Sequence, residues 1–274
     1  MDKISSQPKN QPLSPARRRH DVLGVQVDDV TLPEAIELIL GWVKAHRTSA
    51  EATAHLVVTA NPEYVMAALH EQAFMALVNS ADLVTPDGIG LIGAGKLLGK
   101  PFRSRVTGVA LAQELFRLSA ADSLSIGEGP RLFLLGAAPG VAEEAAEKIR
   151  QAYPGARICG TFAGKAGPEG DEEALAHIRE AGAEIVLVAY GMLKQDWWAA
   201  RNIQRSGAAV AIGVGGVLDY TAGRVPLAPA WLRRWGLEWA YRLYKEPWRW
   251  RRQLALPQFV ALVCWARVRH LVKK

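Results

Sequence analysis

The chain is poor in cysteine, with only Cys159 and Cys264 among 274 residues, and neither belongs to a Cys-x-x-Cys pair. A disulfide framework or a structural zinc site is therefore not expected. The six histidines show no ligand spacing, and no Asp-x-Asp motif follows a predicted strand, so a metal-bound diphosphate is not indicated. We expect neither a metal nor a cofactor.

Long apolar runs are also missing. No segment approaches the ~20 residues that a helix needs to cross a bilayer. The first 20 residues contain three prolines and the run Arg17-Arg18-Arg19, without the apolar core of a signal peptide. We interpret residues 1–20 as a disordered basic tail, and we expect a cytoplasmic protein.

Strands and helices alternate after this tail. Alternation of this kind predicts an α/β fold with a doubly wound, mostly parallel, Rossmann-like sheet, here over residues 21–228. Apolar segments mark the strands: Val22–Val27, His55–Thr59, Ala81–Thr85, Arg131–Leu135, Arg157–Gly160, Glu184–Ala189 and Ala208–Val214. Ligands of such sheets bind beyond the carboxyl ends of the strands, so the residues there are the first candidates for a site.

Positive charge is concentrated in residues 229–274, which hold eleven Lys and Arg, six Trp and only two Glu. We predict a helical, amphipathic appendage that binds either an anionic membrane or nucleic acid. Arg242, Lys245, Arg249 and Arg252 share one face if the segment is helical, and they are candidates for binding a membrane surface or a phosphate group. A solvated helix face is the alternative. The density of Trp and Arg favours a membrane, and we expect no nucleic-acid partner.

Asp87 lies between Pro86 and Gly88, directly after an apolar strand. A carboxylate at that edge can take a proton from a hydroxyl nucleophile. The same residue could instead cap a helix that starts at Ile89. From the local sequence the two readings are equally good.

Other polar side chains occupy similar positions. Thr59 and Asn61 follow the neighbouring strand, where they would bind a sugar hydroxyl, orient Asp87, or serve only as turn and cap residues. Arg105 would bind a phosphate through its planar guanidinium group or lie on the surface. Lys194 and Gln195 begin a helix, where they would contact a diphosphate or simply form its solvated first turn.

Two glycine-rich turns follow strands, one with Gly136 and Gly140 and the other with Gly213 and Gly215. Such turns suit phosphate groups, although many glycine turns bind nothing. Neither has the Gly-x-Gly-x-x-Gly spacing and acidic residue of a dinucleotide site. A nucleotide-dependent oxidoreductase therefore stays only as a rival, as does a non-enzymatic module that binds membrane or nucleic acid.

Taken together and in order, these motifs resemble the WecG/TagA/CpsF glycosyltransferase family over about Val22 to Gln253. The segments that carry the resemblance are Thr59-Ala-Asn-Pro-Glu63, Ala81-Asp-Leu-Val-Thr-Pro-Asp-Gly88, Leu98-Gly-Lys-Pro101, Arg105-Val-Thr-Gly108, Lys194-Gln195, Gly213-Val-Gly215, Asp219, Gly223 and Gly236-Leu-Glu-Trp-Ala-Tyr-Arg-Leu-Tyr-Lys-Glu-Pro247.

The resemblance implies an inverting, metal-independent transfer of a sugar from a UDP-sugar to an undecaprenyl-diphosphate-linked saccharide. Family members act in teichoic acid, common-antigen and exopolysaccharide assembly. The protein would lie on the inner face of the cytoplasmic membrane as a peripheral protein. Self-association of family members makes a homo-oligomer a further expectation.

The resemblance also implies residue roles. Asp87 corresponds to the base, and Thr59, Asn61, Arg105, Gln195 and Asp219 correspond to pocket residues. The appendage would close over the site and bring Arg242, Arg249 or Arg252 to the diphosphate. Three residues depart from the family pattern: Leu193 replaces a proline, Asp196 a glutamate and Leu218 a phenylalanine.

Overall fold

The computed structural model describes residues 17–49, 51–122, 124, 127–229, 231–232, 235, 237–245, 247 and 250–272. Six strands form one parallel sheet: β3 (His55–Ala60), β4 (Leu83–Pro86), β5 (Leu132–Gly136), β6 (Ile158–Phe162), β7 (Ile185–Ala189) and β8 (Val210–Gly213). Their order across the sheet is β4-β3-β8-β7-β5-β6. The predicted α/β fold with a parallel sheet is confirmed.

Helices cover both faces of the sheet, as a doubly wound fold requires. They are α1 (Leu32–Thr48), α2 (Pro62–His70), α3 (Gln72–Ser80), α4 (Ile89–Leu97), α5 (Gly108–Ser119), α6 (Val141–Ala152), α7 (Asp171–Glu180), α8 (Lys194–Ser206) and α9 (Val217–Thr221). Helices α1, α5, α6 and α9 share one apolar core with the sheet, and α2, α3, α4, α7 and α8 share the other. Successive strand residues alternate between these cores because strand side chains point to opposite faces.

The prediction of a single strand over Val22–Val27 is wrong. The chain makes a hairpin of β1 (Arg19–Val22) and β2 (Val25–Asp28) instead. Leu23 and Gly24 both have positive φ, 54° and 94°, as a tight two-residue hairpin turn requires. Asp28 Oδ2 accepts the N–H of Val84 at 2.8 Å, which fastens the hairpin beside β4.

The predicted basic tail divides at this hairpin. Residues 1–16 lie outside the described residues. Arg17 and Arg19 pair with the buried Asp28, at Nε–Oδ1 distances of 3.6 and 3.2 Å. Arg19 also donates to the carbonyl oxygens of Asn79 and Ala81. Arg17 and Arg19 therefore fix the start of the described chain to the hairpin and to the segment before β4. The sequence pattern instead predicts that both arginines lie in a disordered tail.

The C-terminal region contains α10 (Glu238–Lys245), α11 (Trp250–Gln253) and α12 (Ala255–Val272). Helix α12 packs against α2 and α4, and Phe259 and Val263 on its inner face are only 2% exposed. Its outer face is also apolar, with Val260, Trp265 and Val268 each more than half exposed. Within the described residues, no helix is both long and apolar enough to cross a membrane.

Candidate active site

The carboxyl ends of β3, β4 and β8 lie side by side because β3 is between the other two strands. Thr59 is in β3 and pairs in register with Thr85 of β4. Asp87 follows β4 at once, and Gly213 is the last residue of β8. Three sequence-predicted residues from distant parts of the chain therefore meet at one edge of the sheet.

Asp87 is half-buried, and its side chain points to the start of α5. Its Oδ2 accepts the N–H of Gly108 at 3.1 Å, and its own N–H donates to Ala60 O at 2.7 Å. The residue that caps α4 is Gly88, and it makes no side-chain cap bond. The alternative in which Asp87 caps the helix at Ile89 is wrong. The carboxylate is instead held where ligands of such sheets bind.

Thr59 connects β3 to the end of β8. Its hydroxyl is buried and donates to Gly213 O at 2.9 Å. Gly108 packs closely on the same side chain, since a Cβ there would be 3.3 Å from Thr59 Oγ1. Thr59 thus fixes the relative positions of Gly108, which holds Asp87, and the turn after β8.

Gln195 supports that same turn from the opposite side. Its Oε1 accepts the N–H of Gly215 at 2.9 Å, and its Nε2 donates to Tyr64 Oη at 2.9 Å. The side chain is 1% exposed. A Cβ on Gly213 would lie 2.7 Å from Gln195 Nε2, so this packing requires glycine. The sequence placed Gln195 in a ligand pocket, whereas the structure places it beneath the turn.

Tyr64 and Asp196 complete this buried group, and neither was a candidate from the sequence. Burial raises the pKa of Tyr64 well above its ordinary value, and the nearby Asp196 and Asp87 carboxylates add to the effect. Burial also raises the pKa of Asp196 to about 7. Asp196 Oδ2 accepts the N–H of Leu193 at 3.1 Å, which closes the turn into α8. The position of Tyr64 three residues after Asn61 is the only sequence signal for its role.

The Asp196 carboxyl makes a testable contribution to stability. Its pKa rises from 3.8 to about 7 on folding, so the folded protein binds one more proton than the unfolded chain between those values. The free energy of unfolding therefore falls as pH rises through that window. Asp196→Asn keeps the acceptor for Leu193 and removes the titration. We expect the difference between the Tm of the variant and the Tm of the wild type to increase, in favour of the variant, from pH 4 to pH 8. A constant Tm difference would contradict the assignment.

Asn61 and Arg105 lie beside the central residues. Asn61 is the N-cap of α2, and its Oδ1 accepts the N–H of Tyr64 at 3.1 Å, so the cap interpretation holds for that oxygen. Arg105 is half-buried rather than fully on the surface. Its neighbour Val106 donates to Pro86 O at 3.0 Å, which places the Arg105 segment alongside the end of β4, next to Asp87.

The remaining candidates lie farther along the same edge. Gly136 ends β5 and Gly140 is the N-cap of α6, two strands away from β8. Lys194 is the exposed first residue of α8. Asp219 is half-buried in α9, just after the Gly213–Gly215 turn. All four lie at the carboxyl edge, although only Asp219 is close in sequence to the central turn.

The basic residues of the appendage are only partly described. Arg249 lies outside the described residues, and Arg242 and Arg252 are described in backbone but not in side chain. Lys245 is exposed, and its Nζ lies 5.9 Å from the Tyr241 ring centre. Together Tyr241 and Lys245 line a small crevice with Val109 of α5 and Tyr220 of α9. Helix α10 therefore lies beside the helix that holds Asp87.

The entry into α8 differs from the pattern that the resemblance predicts. Leu193 has a φ of +71°, a value that the ring of a proline cannot adopt. Positive φ is rare for a residue with a branched side chain, and here the Asp196 carboxylate holds the turn by accepting the Leu193 N–H. A proline at this position would therefore require a different local backbone.

Metal-binding side chains do not come together in the described part of the chain: no three His, Cys, Asp or Glu residues form a cluster. Metal-independent chemistry stays a prediction. What the geometry does show is a carboxylate, a buried hydroxyl and a clamped glycine turn at the end of neighbouring parallel strands. This arrangement suits the removal of a proton from a hydroxyl beside a phosphate-bearing ligand.

Comparison with known proteins assigns the chain to a family. The family model for "Glycosyl transferase WecG/TagA/CpsF family" matches residues 20–273. The chain belongs to this family. The match includes the strand ends described above and the C-terminal helices. The protein is therefore neither a nucleotide-dependent oxidoreductase nor a non-enzymatic binding module.

Two relatives carry the same name, N-acetylglucosaminyldiphosphoundecaprenol N-acetyl-beta-D-mannosaminyltransferase. The protein from Bacillus spizizenii (strain W23) is 37% identical over 207 residues, which cover 76% of this chain and 77% of the relative. The protein from Staphylococcus aureus (strain MW2) is 30% identical over 256 residues, 93% of this chain and 94% of the relative. The similarity to the Staphylococcus aureus protein thus extends over nearly the full length of both chains.

Proposed function

We propose that this glycosyltransferase is a hexosyltransferase that moves a sugar from a UDP-sugar to an undecaprenyl-diphosphate-linked saccharide, with inversion and without a metal. The relatives' name states an undecaprenyl-diphosphate-linked N-acetylglucosamine as acceptor and N-acetylmannosamine as the transferred sugar. We propose the same acceptor and the same transferred sugar here. The product would enter a cell-surface polysaccharide of the teichoic acid, common-antigen or exopolysaccharide type.

The observation that carries the proposal is the placement of Asp87. Its carboxylate is held by Gly108 at the end of β4, next to Thr59 and the turn after β8. In the proposed step, Asp87 takes the proton of the acceptor hydroxyl, whose oxygen forms a bond to the anomeric carbon of the donor. The bond between that carbon and the UDP oxygen breaks, and UDP leaves with the electron pair. Attack from the side opposite UDP inverts the anomeric centre.

The donor would lie across the strand ends. Neighbouring strands are ~4.8 Å apart, so the edge from β3 to β5 extends over about 14 Å, which suits a sugar joined to a diphosphate. Gly213, Gly215, Gly136 and Gly140 mark the glycine turns along this edge. We propose that backbone N–H groups of the Gly136–Gly140 turn, with Arg105 and Lys194, stabilise the charge that develops on the leaving diphosphate. The Gly213–Gly215 turn, whose Gly215 N–H is bound by Gln195, would instead allow the donor to approach the backbone closely.

The C-terminal helices would bring the enzyme to its lipid-linked acceptor. Helix α12 docks on α2 and α4, which begin directly after Asn61 and Gly88 at the active-site edge. Its exposed Val260, Trp265 and Val268 offer apolar contact, and Arg269 stacks on Trp265 at 4.0 Å. We propose peripheral binding to the anionic inner face of the cytoplasmic membrane, with the basic residues of the appendage reaching the lipid diphosphate.

The test is a transfer assay with the full chain and lipid-linked N-acetylglucosamine in anionic vesicles. UDP-N-acetylmannosamine, UDP-N-acetylglucosamine and UDP-glucose are offered separately, with and without EDTA. We expect a β-linked disaccharide from UDP-N-acetylmannosamine, in equal yield with EDTA. Vesicles that contain undecaprenyl diphosphate without a sugar are the control and should give no product. Transfer from none of these donors, or transfer abolished by EDTA, would overturn the proposal.

A further inference from the structure

The turn from Gly213 to Gly215 is held from both sides by buried side chains. Thr59 Oγ1 donates to Gly213 O on one side, and Gln195 Oε1 accepts the Gly215 N–H on the other. The far side of the turn is open, since a Cβ on Gly215 would meet nothing within 4 Å. The turn is therefore held at Gly213 and at Gly215, and it stays open in the direction in which a Gly215 side chain would point.

Gln195 reaches this turn only because Tyr64 holds it from α2. Both polar ends of the amide are engaged, one by Gly215 and the other by Tyr64 Oη at 2.9 Å. Tyr64 and Gln195 are 3% and 1% exposed. The amide thus links α2, α8 and the turn after β8.

Tyr64 also connects the turn to the base. It lies in the first turn of α2, where its N–H donates to Asn61 Oδ1 at 3.1 Å, and the Asp87 N–H donates to the carbonyl oxygen of Ala60, the residue before Asn61, at 2.7 Å. The Asp87 carboxylate is in turn fixed by Gly108, which packs on Thr59. The two sides of the clamp therefore meet at Asp87.

We propose that Tyr64 and Gln195 act together as positioning residues that set the distance between the Gly213–Gly215 turn and Asp87. The inference rests on the proposed function, in which the turn supports the donor and Asp87 activates the acceptor. It differs from the expectation that Gln195 contacts substrate, since the structure shows the amide buried under the turn. It also adds Tyr64, a residue that the sequence motifs do not mark. Misplacement of about 1 Å in a reacting pair can cost about 100-fold in rate.

Tyr64→Phe removes only the hydroxyl and is the first test. We expect kcat to fall about 10- to 100-fold while KM for donor and acceptor changes less than about twofold, since the ligands still bind but are misaligned. Tyr153→Phe is the matched control. Tyr153 caps the C-terminus of α6, at the edge of the sheet away from the site, and its loss of a hydroxyl should leave kcat unchanged.

A second variant tests whether the two residues act as one unit. Gln195→Met keeps the approximate length of the side chain and removes both hydrogen bonds. If Tyr64 acts through Gln195, the double variant should be no slower than Gln195→Met alone. Losses that multiply, or a rise in KM that accounts for the loss of kcat/KM, would show direct contacts with substrate and would overturn the proposal.

Hydrogen–deuterium exchange separates this proposal from the proposed function. Peptides that contain residues 213–219 should exchange faster in Tyr64→Phe than in the wild type, whereas peptides from β5 should not change. This readout needs no substrate. Faster exchange with no sugar transfer by the wild type would leave the clamp in place and remove the proposed reaction. Unchanged exchange together with unchanged kcat would overturn the clamp.

Discussion

Asp87→Asn is expected to slow sugar transfer about 10²- to 10⁴-fold, the usual contribution of a general base. Asparagine has nearly the same shape, and its oxygen can still accept the N–H of Gly108 that Asp87 accepts at 3.1 Å. The variant keeps this hydrogen-bond acceptor and loses the ability to take a proton from the acceptor hydroxyl. Its Tm and its affinity for UDP should therefore stay close to those of the wild type, while kcat falls at saturating donor and acceptor.

The matched control is Asp122→Asn, which makes the same chemical change at an exposed residue after α5. Its kcat should equal that of the wild type. Near-normal turnover by Asp87→Asn would show that another group accepts the proton. A large fall in Tm would show instead that the contact with Gly108 has a mainly structural role.

The exposed face of α12 is expected to control binding to anionic vesicles. Trp265 and Val268 are each 55% exposed on this face. Burial of a large apolar side chain contributes roughly 1.5–3 kcal/mol. Because both side chains are only partly exposed, each can bury only part of its surface in the membrane. Trp265→Glu combined with Val268→Glu should therefore weaken vesicle binding about 10- to 100-fold. Sedimentation with phosphatidylglycerol vesicles measures the effect, and transfer to lipid-linked acceptor should fall in parallel.

Gln258→Glu controls for added negative charge, because Gln258 is exposed on the same helix and is not apolar. It should lower sedimentation much less than the double variant. Unchanged sedimentation of the double variant would contradict the membrane role of α12. Truncation before α12 is a poorer experiment, since it would uncover the surfaces of α2 and α4 on which Phe259 and Val263 pack at 2% exposure.

The position of Asp87 illustrates how far local sequence reaches. An apolar strand followed by Pro86-Asp87-Gly88 predicts a carboxylate at the carboxyl edge of a parallel sheet, and that is where it lies. Coordinates were needed to exclude Asp87 as the N-cap of α4, and its role as the base stays a prediction. Gly88 caps α4, and the Asp87 carboxylate meets Gly108, a residue 21 positions later, because the segment before α5 returns to the end of β4.

Gln195 illustrates what local sequence cannot predict. Its place after β7 predicts the correct edge of the sheet, because chain order and strand ends are visible as patterns of apolar and turn residues. Its burial depends on Tyr64, 131 positions earlier, and on how closely α8 approaches the turn after β8. No local pattern encodes a contact of that sequence separation, so a ligand-binding role and a buried support look the same in sequence.

The alternation of apolar strands and amphipathic helices was sufficient to determine the fold class, the edge that carries the site and the residues that stand there. Those features follow from local periodicity and from the rule that parallel strands end together. Tertiary packing alone decided which of these side chains face the crevice and which lie under it, that α12 docks on α2 and α4, and that Asp87 is held by α5. These outcomes depend on close contacts between segments far apart in the chain, and such contacts exist only once the layers are assembled.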